Sequence, residues 1–181
     1  MDESHVIALV YSGNTDAFAE IVENYQLPII RYLYRLTGDH NLAQDLAQDT
    51  FLKAYQGILK THSDLSFKAW LYQIATNIAR QHQRRKRILS FTPLVDSITD
   101  CLPTEEMTND RVESEILVQK ALLKVAYDQR QCMVLHFVER LKYREIGEIL
   151  GISEDAVRKR VARGSQEFRR EYRLLSEDKK Q

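Results

Sequence analysis

At 181 residues with 44% hydrophobic and 29% charged side chains, the chain can bury one helical core or two small ones. No stretch approaches the roughly 18–20 continuous apolar residues of a membrane span, and the opening MDESHVIALV is acidic where a secretory signal has a basic flank, so a cytoplasmic protein without membrane insertion is expected. The net charge of zero is a cancellation: residues 1–90 hold 10 Lys/Arg against 9 Asp/Glu, 91–115 hold 1 against 7, and 116–181 hold 15 against 10.

In chain order, Ala17 to Thr37 sets Phe18, Ile21, Val22 and Tyr25, then Ile29, Tyr32, Leu33 and Leu36, at three- and four-residue steps, which predicts a helix. Pro28 is expected to break or restart it, because proline lacks the amide that a helix interior needs. Gly38-Asp39 ends it, and Asn41 is the expected cap of a second helix reaching about Gly57, with Leu42, Leu46, Phe51 and Ala54 for its apolar side. A third helix, about Phe67 to Arg87, offers Trp70, Leu71, Ile74 and Ile78 and runs into the basic cluster Arg80, Arg84, Arg85, Lys86 and Arg87. Phe67, Trp70 and Tyr72 beside that charge are also what a single-strand binder would use as stacking surfaces, but their helical spacing favours core. Phe91 to Ser114 holds two of the three prolines without helical periodicity and reads as a linker. Glu113–Tyr127 and Gln129–Val138 follow as amphipathic helices, and strand patterns are absent. The expected fold is all-α: a helical domain over 1–90, a flexible acidic linker over 91–112, a second helical domain over 113–175, and a disordered tail over 176–181.

The densest local signal is LKYREIGEILGISEDAVRKRVARGSQEFRREYRLL. Tyr143, Ile146, Ile149 and Leu150 give a first helix its apolar face; Gly151 suits a left-handed turn residue, Ile152 plugs the angle, and Ser153 caps a second helix. Val157, Val161, Gly164 and Phe168 line the buried side of that second helix, leaving Arg158, Lys159, Ala162 and Arg163 outward. This is helix-turn-helix logic, with arginines able to fork onto guanine and cations to neutralise phosphate. A charge run is commonly just a solvated face; here the turn chemistry accompanies it. Catalytic signatures are missing: there is no Gly-rich phosphate loop, HExxH or GxSxG, and histidines 5, 40, 62, 82 and 136 lack ligand spacing, so no catalytic residue, metal or cofactor is expected. Cys101 and Cys132, far apart, read as buried or idle thiols.

Three segments in order, AQDLAQDTFLKAY (43–55), FKAWLYQIATNIAR (67–80) and YREIGEILGISEDAVRKRVARGS (143–165), make the chain resemble bacterial sigma factors of the extracytoplasmic-function (ECF) type in the sigma-70 superfamily. The resemblance covers nearly the whole chain and implies a non-enzymatic subunit that directs RNA polymerase core enzyme to promoter DNA and aids strand opening. The first domain would be sigma region 2 and the second region 4. It implies core contacts for Asp45, Gln48 and Asp49, whose alternative is a solvated acidic face. It implies −10 element contacts for Lys60, His62, Ser63 and Asp64 in the loop KTHSDLS, where a flipped base would be captured, and for Asn77, Arg80, Arg84 and Arg85 on the following helix. It implies −35 contacts for Ser153, Arg158, Lys159, Arg160 and Arg163, with Arg160 on phosphate or structural. Ala162 and Ser165 depart from the aromatic or His and the Arg frequent in the family, and Gln81 and His82 depart from its usual acidic and basic pair, so promoter sequence does not carry over. The acidic linker reads equally as a plain tether or as a nucleic-acid mimic threading the polymerase channel. An anti-sigma factor is a further partner that the resemblance implies. The rival is a stand-alone helix-turn-helix regulator binding duplex DNA, usually as a dimer.

Overall fold

The computed structural model describes residues 8–10, 12, 14, 16–58, 66–89 and 109–178, and among these every regular element is a helix. Helix α1, Asp16–Thr37, starts where the Asn14 side chain accepts from the amides of Asp16 and Ala17 at 3.1 and 3.3 Å. Pro28 lies inside it and does not end it, contrary to the sequence expectation. An interior proline removes one backbone hydrogen bond and costs about 3 kcal/mol. Ile29, Ile30, Tyr32 and Leu33, all buried directly after it, outweigh that cost by holding the second half of the helix against the core. The helix stops at Gly38, which adopts φ 77° and returns its amide to the Tyr34 carbonyl at 2.8 Å.

Helix α2, His40–Ile58, is capped by Asp39, whose carboxylate accepts from the Leu42 amide at 3.0 Å. Asn41, the expected cap, is already inside the helix. Helix α3, Phe67–Leu89, opens with Ser66 accepting from the Ala69 amide at 3.3 Å. Its buried face carries Ala69, Trp70, Leu71, Tyr72, Ala75, Ile78 and Ala79. Trp70, 8% exposed, is core rather than a stacking platform. Tyr32 and Tyr72 meet edge to face at 5.1 Å, and the Tyr32 hydroxyl is hydrogen-bonded to Thr76 at 2.7 Å, so α1 and α3 are joined by both ring packing and a satisfied polar contact.

Helix α4, Asn109–Lys124, begins inside the segment assigned from sequence to the linker (91–112); an Asn-Asp pair at a helix start favours the extra turn. The rest of that linker lies outside the described residues. Helix α5, Tyr127–Met133, continues into a π-helical turn, Val134–Val138, closed by the Glu139 amide on the Val134 carbonyl at 3.1 Å. Arg140 then takes the left-handed conformation, φ 58°, the one described non-glycine residue to do so. Helices α6, Tyr143–Leu150, and α7, Glu154–Asp178, complete the chain. Helix α7 extends past the expected end of the domain, with Ser176 bonded to the Tyr172 carbonyl at 2.6 Å, so the tail expected from residue 176 begins as helix.

The lobe of α1–α3 and the lobe of α4–α7 do not stand apart; their buried apolar residues form one continuous cluster. At the seam, Arg130 donates to the carbonyls of Leu36 at 2.6 Å, Leu123 at 3.0 Å and Val125 at 3.2 Å, and Gln119 donates to the Tyr34 carbonyl at 3.0 Å. Both acceptors on α1 belong to its last turn, where carbonyls run short of donors within the helix. Gly38 admits Leu123 so closely that a Cβ there would lie 2.5 Å from a leucine methyl.

Candidate functional site

The turn between α6 and α7 is built from short-range rules. The Glu145 carboxylate accepts from the Lys142 amide at 2.7 Å and closes the start of α6. Gly151, φ 67°, ends it, and the Ile152 amide reaches back to the Gly147 carbonyl at 3.0 Å. Ser153 accepts from the Ala156 amide at 3.2 Å and starts α7. Gly147 matters in a way the sequence did not announce: a Cβ there would sit 2.7 Å from the Ile152 carbonyl oxygen. Val157 and Val161 are buried, and Gly164 lets α7 lie on α5, its missing Cβ falling 2.5 Å from the Met133 sulfur.

This leaves Arg158, Lys159, Ala162 and Arg163 exposed on one face of α7. Arg158 lies 3.3 Å from Glu154 and 5.9 Å from the Tyr143 ring centre; Lys159 lies 2.8 Å from Asp155 and holds that carboxyl below its ordinary range. These i,i+4 pairs are solvent-exposed and weak, so a phosphate or a base edge can displace them. They hold the cations extended along the helix. Arg160 points the other way, 3.9 Å from Asp128 and next to the Cys132 thiol. Burial pushes that thiol up to about 11, which leaves it protonated and inert at neutral pH. Ser153 is exposed at the start of α7, beside its capping bond.

On α3, Asn77, Arg84 and Arg85 are exposed along the helix. Arg80 is engaged within the protein: its guanidinium donates to the Gln131 side chain at 3.2 Å and to the Leu150 carbonyl at 3.3 Å, both in the other lobe. The candidate −10 residues Lys60, His62, Ser63 and Asp64 lie outside the described residues. On α2, Asp45, Gln48 and Asp49 share one exposed face. Sequence reasoning missed that this face continues into Leu52 and Tyr55, 57% and 46% exposed, at the rim of a groove of about 500 Å³ floored by Phe18, Val22, Ile30 and Phe51. The signal available was an apolar residue seven positions after Asp45, on the polar side of the helix.

Also unforeseen was Glu139, 8% exposed, which accepts a short hydrogen bond from the Tyr72 hydroxyl while Lys68 donates to its carbonyl at 2.7 Å. Burial raises its carboxyl above the ordinary carboxylate range, with Tyr72, Lys68 and Arg35 acting in the opposite direction. Burial, then Glu139, drives the Tyr72 hydroxyl far above the usual range of a tyrosine, so it remains a donor at every working pH.

Known proteins resemble this chain in sequence and in fold. The model for sigma-70 region 2 matches residues 21–88 and that for sigma-70 region 4 matches residues 115–167. The ECF RNA polymerase sigma factor SigW of Bacillus subtilis (strain 168) is 32% identical, over 93% of this chain and 96% of its own length. The ECF RNA polymerase sigma factor SigE of Mycolicibacterium smegmatis is 30% identical over 83% of this chain, which spans 59% of that longer relative. Among solved structures, the sigma factor RpoE of Bartonella quintana, seen in complex with the anti-sigma factor NepR, shares the fold with a TM-score of 0.72 at 22% identity, over 87% of this chain and 97% of its own.

Proposed function

Because the chain belongs to the ECF sigma factors of the sigma-70 family and is an RNA polymerase sigma factor, a partner of core enzyme and promoter DNA, we propose the following division of labour among its residues. The exposed face of α7 reads the −35 element: Arg158, Lys159 and Arg163 enter the major groove, Ser153 meets the backbone at the helix start, and Arg160, turned toward Asp128 and Cys132, takes the structural role and supports α7 from behind. The helix N-terminus adds its own partial positive charge.

Asp45, Gln48 and Asp49 on α2 meet core enzyme, with Leu52 and Tyr55 supplying the apolar part of the same contact. A patch that joins carboxylates to exposed apolar side chains suits a basic, partly apolar protein surface better than it suits nucleic acid. Asn77, Arg80, Arg84 and Arg85 hold the −10 strand, and Lys60, His62, Ser63 and Asp64 capture its flipped base. Opening is then thermal melting trapped by binding, and needs no nucleotide hydrolysis by the sigma factor itself. Sigma factors as a family act through polymerase rather than as enzymes, and this chain is read as acting so. Its work is assigned to the cytoplasm, where polymerase and promoter are; no helix among the described residues is long and apolar enough to cross a membrane. An anti-sigma factor is proposed as a regulator, by analogy with the complex formed by RpoE of Bartonella quintana.

The observation that carries this reading is the outward Arg158, Lys159 and Arg163 face on a correctly capped helix-turn-helix. The test is run-off transcription from a promoter library with purified core polymerase. Discrete starts sharing a two-block motif are expected, abolished in Asp45→Lys/Asp49→Lys for want of core binding and altered in motif by Arg158→Ala. Core that neither binds the chain nor initiates with it, while the chain alone shifts duplex DNA, would restore the stand-alone regulator.

A further inference from the structure

Helix α7 outruns the region that the family shares: the sigma-70 region 4 match stops at residue 167, and the helix continues to Asp178. The extension is anchored along one side. Phe168 and Tyr172 stack at 5.9 Å, and Phe168 shares an apolar groove with Val118 and Leu122 of α4. One residue earlier, the Glu167 carboxylate accepts from the Ala126 amide at 3.3 Å.

The opposite side is basic. Each residue of an α-helix turns the chain by about 100°, which sets Arg169, Arg173 and Arg170 about 20°, 60° and 120° around the axis from Arg158. All three fall within the arc that runs from Arg158 through Ala162 and Lys159 to Arg163, and all are exposed. The two sets of cations therefore form one stripe along one face. Between Arg158 and Arg173 no acidic side chain stands on it, because Glu167 and Glu171 turn away toward the anchored side. Arg169 donates its Nε to the Ser165 carbonyl at 3.2 Å, which uses one donor of a group that has several. Arg170 lies 2.7 Å from Glu171, its neighbour in sequence, and its side chain is 68% exposed, so a stronger anion can displace that pair. Gln166, Arg169, Arg170, Arg173 and Leu174 line a shallow cleft of about 350 Å³.

At 1.5 Å per residue, Arg169 to Arg173 stand about 16–22 Å along the axis from Arg158, whereas a DNA major groove is about 12 Å wide. With Arg158, Lys159 and Arg163 over base edges, the same face of a straight helix has passed the lip of the groove by Arg169. What it meets there is the sugar-phosphate strand, and guanidinium matches phosphate in both charge and geometry.

We propose that Arg169, Arg170 and Arg173 form a phosphate clamp on the duplex backbone flanking the −35 element, a second DNA contact that adds affinity without adding sequence preference. The inference rests on the −35 reading of α7 and carries it into residues beyond the family match. An acidic protein surface is the rival occupant, favoured only by Leu174, 50% exposed at the edge of the patch. Continuity with the reading face and the unbroken positive charge favour the duplex.

The test compares the wild type with Arg169→Gln/Arg170→Gln/Arg173→Gln, each bound to core polymerase, in competition titrations on a promoter duplex from 50 to 200 mM salt. At about 0.9 per phosphate, the variant's slope of log affinity against log salt should be shallower by about 2.7, so the wild type should lose about fortyfold more affinity across that range. Core binding, helical circular dichroism and the preference among promoter sequences should not change. In a Cys101→Ser chain, an iron chelate tethered at Glu177→Cys, exposed one turn beyond Arg173, should cut the backbone beside the −35 element. An unchanged slope, a changed base preference at constant slope, or absence of those cuts would overturn the clamp. Unaltered binding and slope with impaired initiation would assign the patch to an acidic protein and overturn it equally. A wild-type chain that fails to bind core would count against the sigma reading instead, and the same titration of the chain alone on duplex DNA would then decide the clamp by the same difference in slope.

Discussion

Alanine at Gly147 would put a methyl carbon 2.7 Å from the Ile152 carbonyl oxygen, about 0.7 Å inside ordinary van der Waals contact. The obstacle is backbone, and it is fixed on both sides: the Ile152 amide is bonded to Gly147 itself and Ser153 is held by its capping bond to Ala156. Overpacking of this kind costs about 1–3 kcal/mol, and an immobile carbonyl argues for the upper half of that range. With cooperative unfolding of a chain this size, that corresponds to a fall in Tm of about 5–10 °C. The strain is relieved by swinging α7 relative to α6, which displaces Arg158 and Arg163, so under the proposed assignment −35 binding should fall by about tenfold or more while the proposed core-binding face on α2 is untouched. Gly151→Ala supplies the comparison: it has open space around it but a φ of 67°, so it should cost about 1 kcal/mol with little effect on DNA binding. Thermal denaturation followed by circular dichroism, together with fluorescence anisotropy of holoenzyme on a −35 duplex, measures both. A Gly147→Ala chain that melts with the wild type, or one less damaged than Gly151→Ala, would refute the reasoning.

Other outcomes follow from the same geometry. Removing Arg158, Lys159 or Arg163 singly should reduce the slope of log affinity against log salt by about one for each phosphate no longer neutralised, and a residue that reads a base should in addition relax specificity at one promoter position; competition titrations at several salt concentrations separate the two. Burial at the seam between the lobes raises the Glu139 carboxyl above its ordinary value of 4.5, so the folded chain binds a proton there more tightly than the unfolded chain does. Its extra stability is full below that ordinary value and disappears as pH rises through the raised one. The groups facing Glu139 are Lys68 and Tyr72 from α3 and Arg35 from α1. The Tm of the wild type should therefore gain on that of Glu139→Gln as pH falls through this window, with both followed by circular dichroism. Cys132, buried with its thiol pushed up to about 11, should resist alkylation at pH 8 in a Cys101→Ser chain and react promptly once unfolded; rapid labelling of the native protein would contradict its burial.

The helix-turn-helix was legible in the sequence because everything that makes it is local. The apolar steps of α6 and α7, the left-handed Gly151, the Ser153 cap and the outward arginines all fall within about twenty residues and appear where periodicity puts them. Pro28 misled because the rule it obeys is local too, whereas the burial of Ile29, Tyr32 and Leu33 that overrides it is tertiary. Asp39 in place of Asn41 is a shift of two residues between equivalent capping side chains. The seam was illegible for another reason. Arg130 and Glu139 are charged residues in helical surroundings, which periodicity sends to solvent, and they are buried because partners 94 and 67 residues away in sequence complete their hydrogen bonds. The exposed Leu52 and Tyr55 invert the case: apolar side chains that periodicity places away from the buried side lie on the same outward face as Asp45, Gln48 and Asp49.

Arg130 and Gln119 finish the last turn of α1 from the opposite lobe: Arg130 satisfies the Leu36 carbonyl, and Gln119 gives the Tyr34 carbonyl a second donor beside the Gly38 amide. The border between the two family regions is therefore not the border between two independently completed pieces of structure. A fragment cut in the connector would carry an unfinished helix, and hydrogen exchange in residues 34–38 should be faster in the isolated first half than in the whole chain. Any parting of the lobes would have to supply water or protein to those carbonyls at the same moment, so the exchange rate at the end of α1 would report how often the two halves come apart.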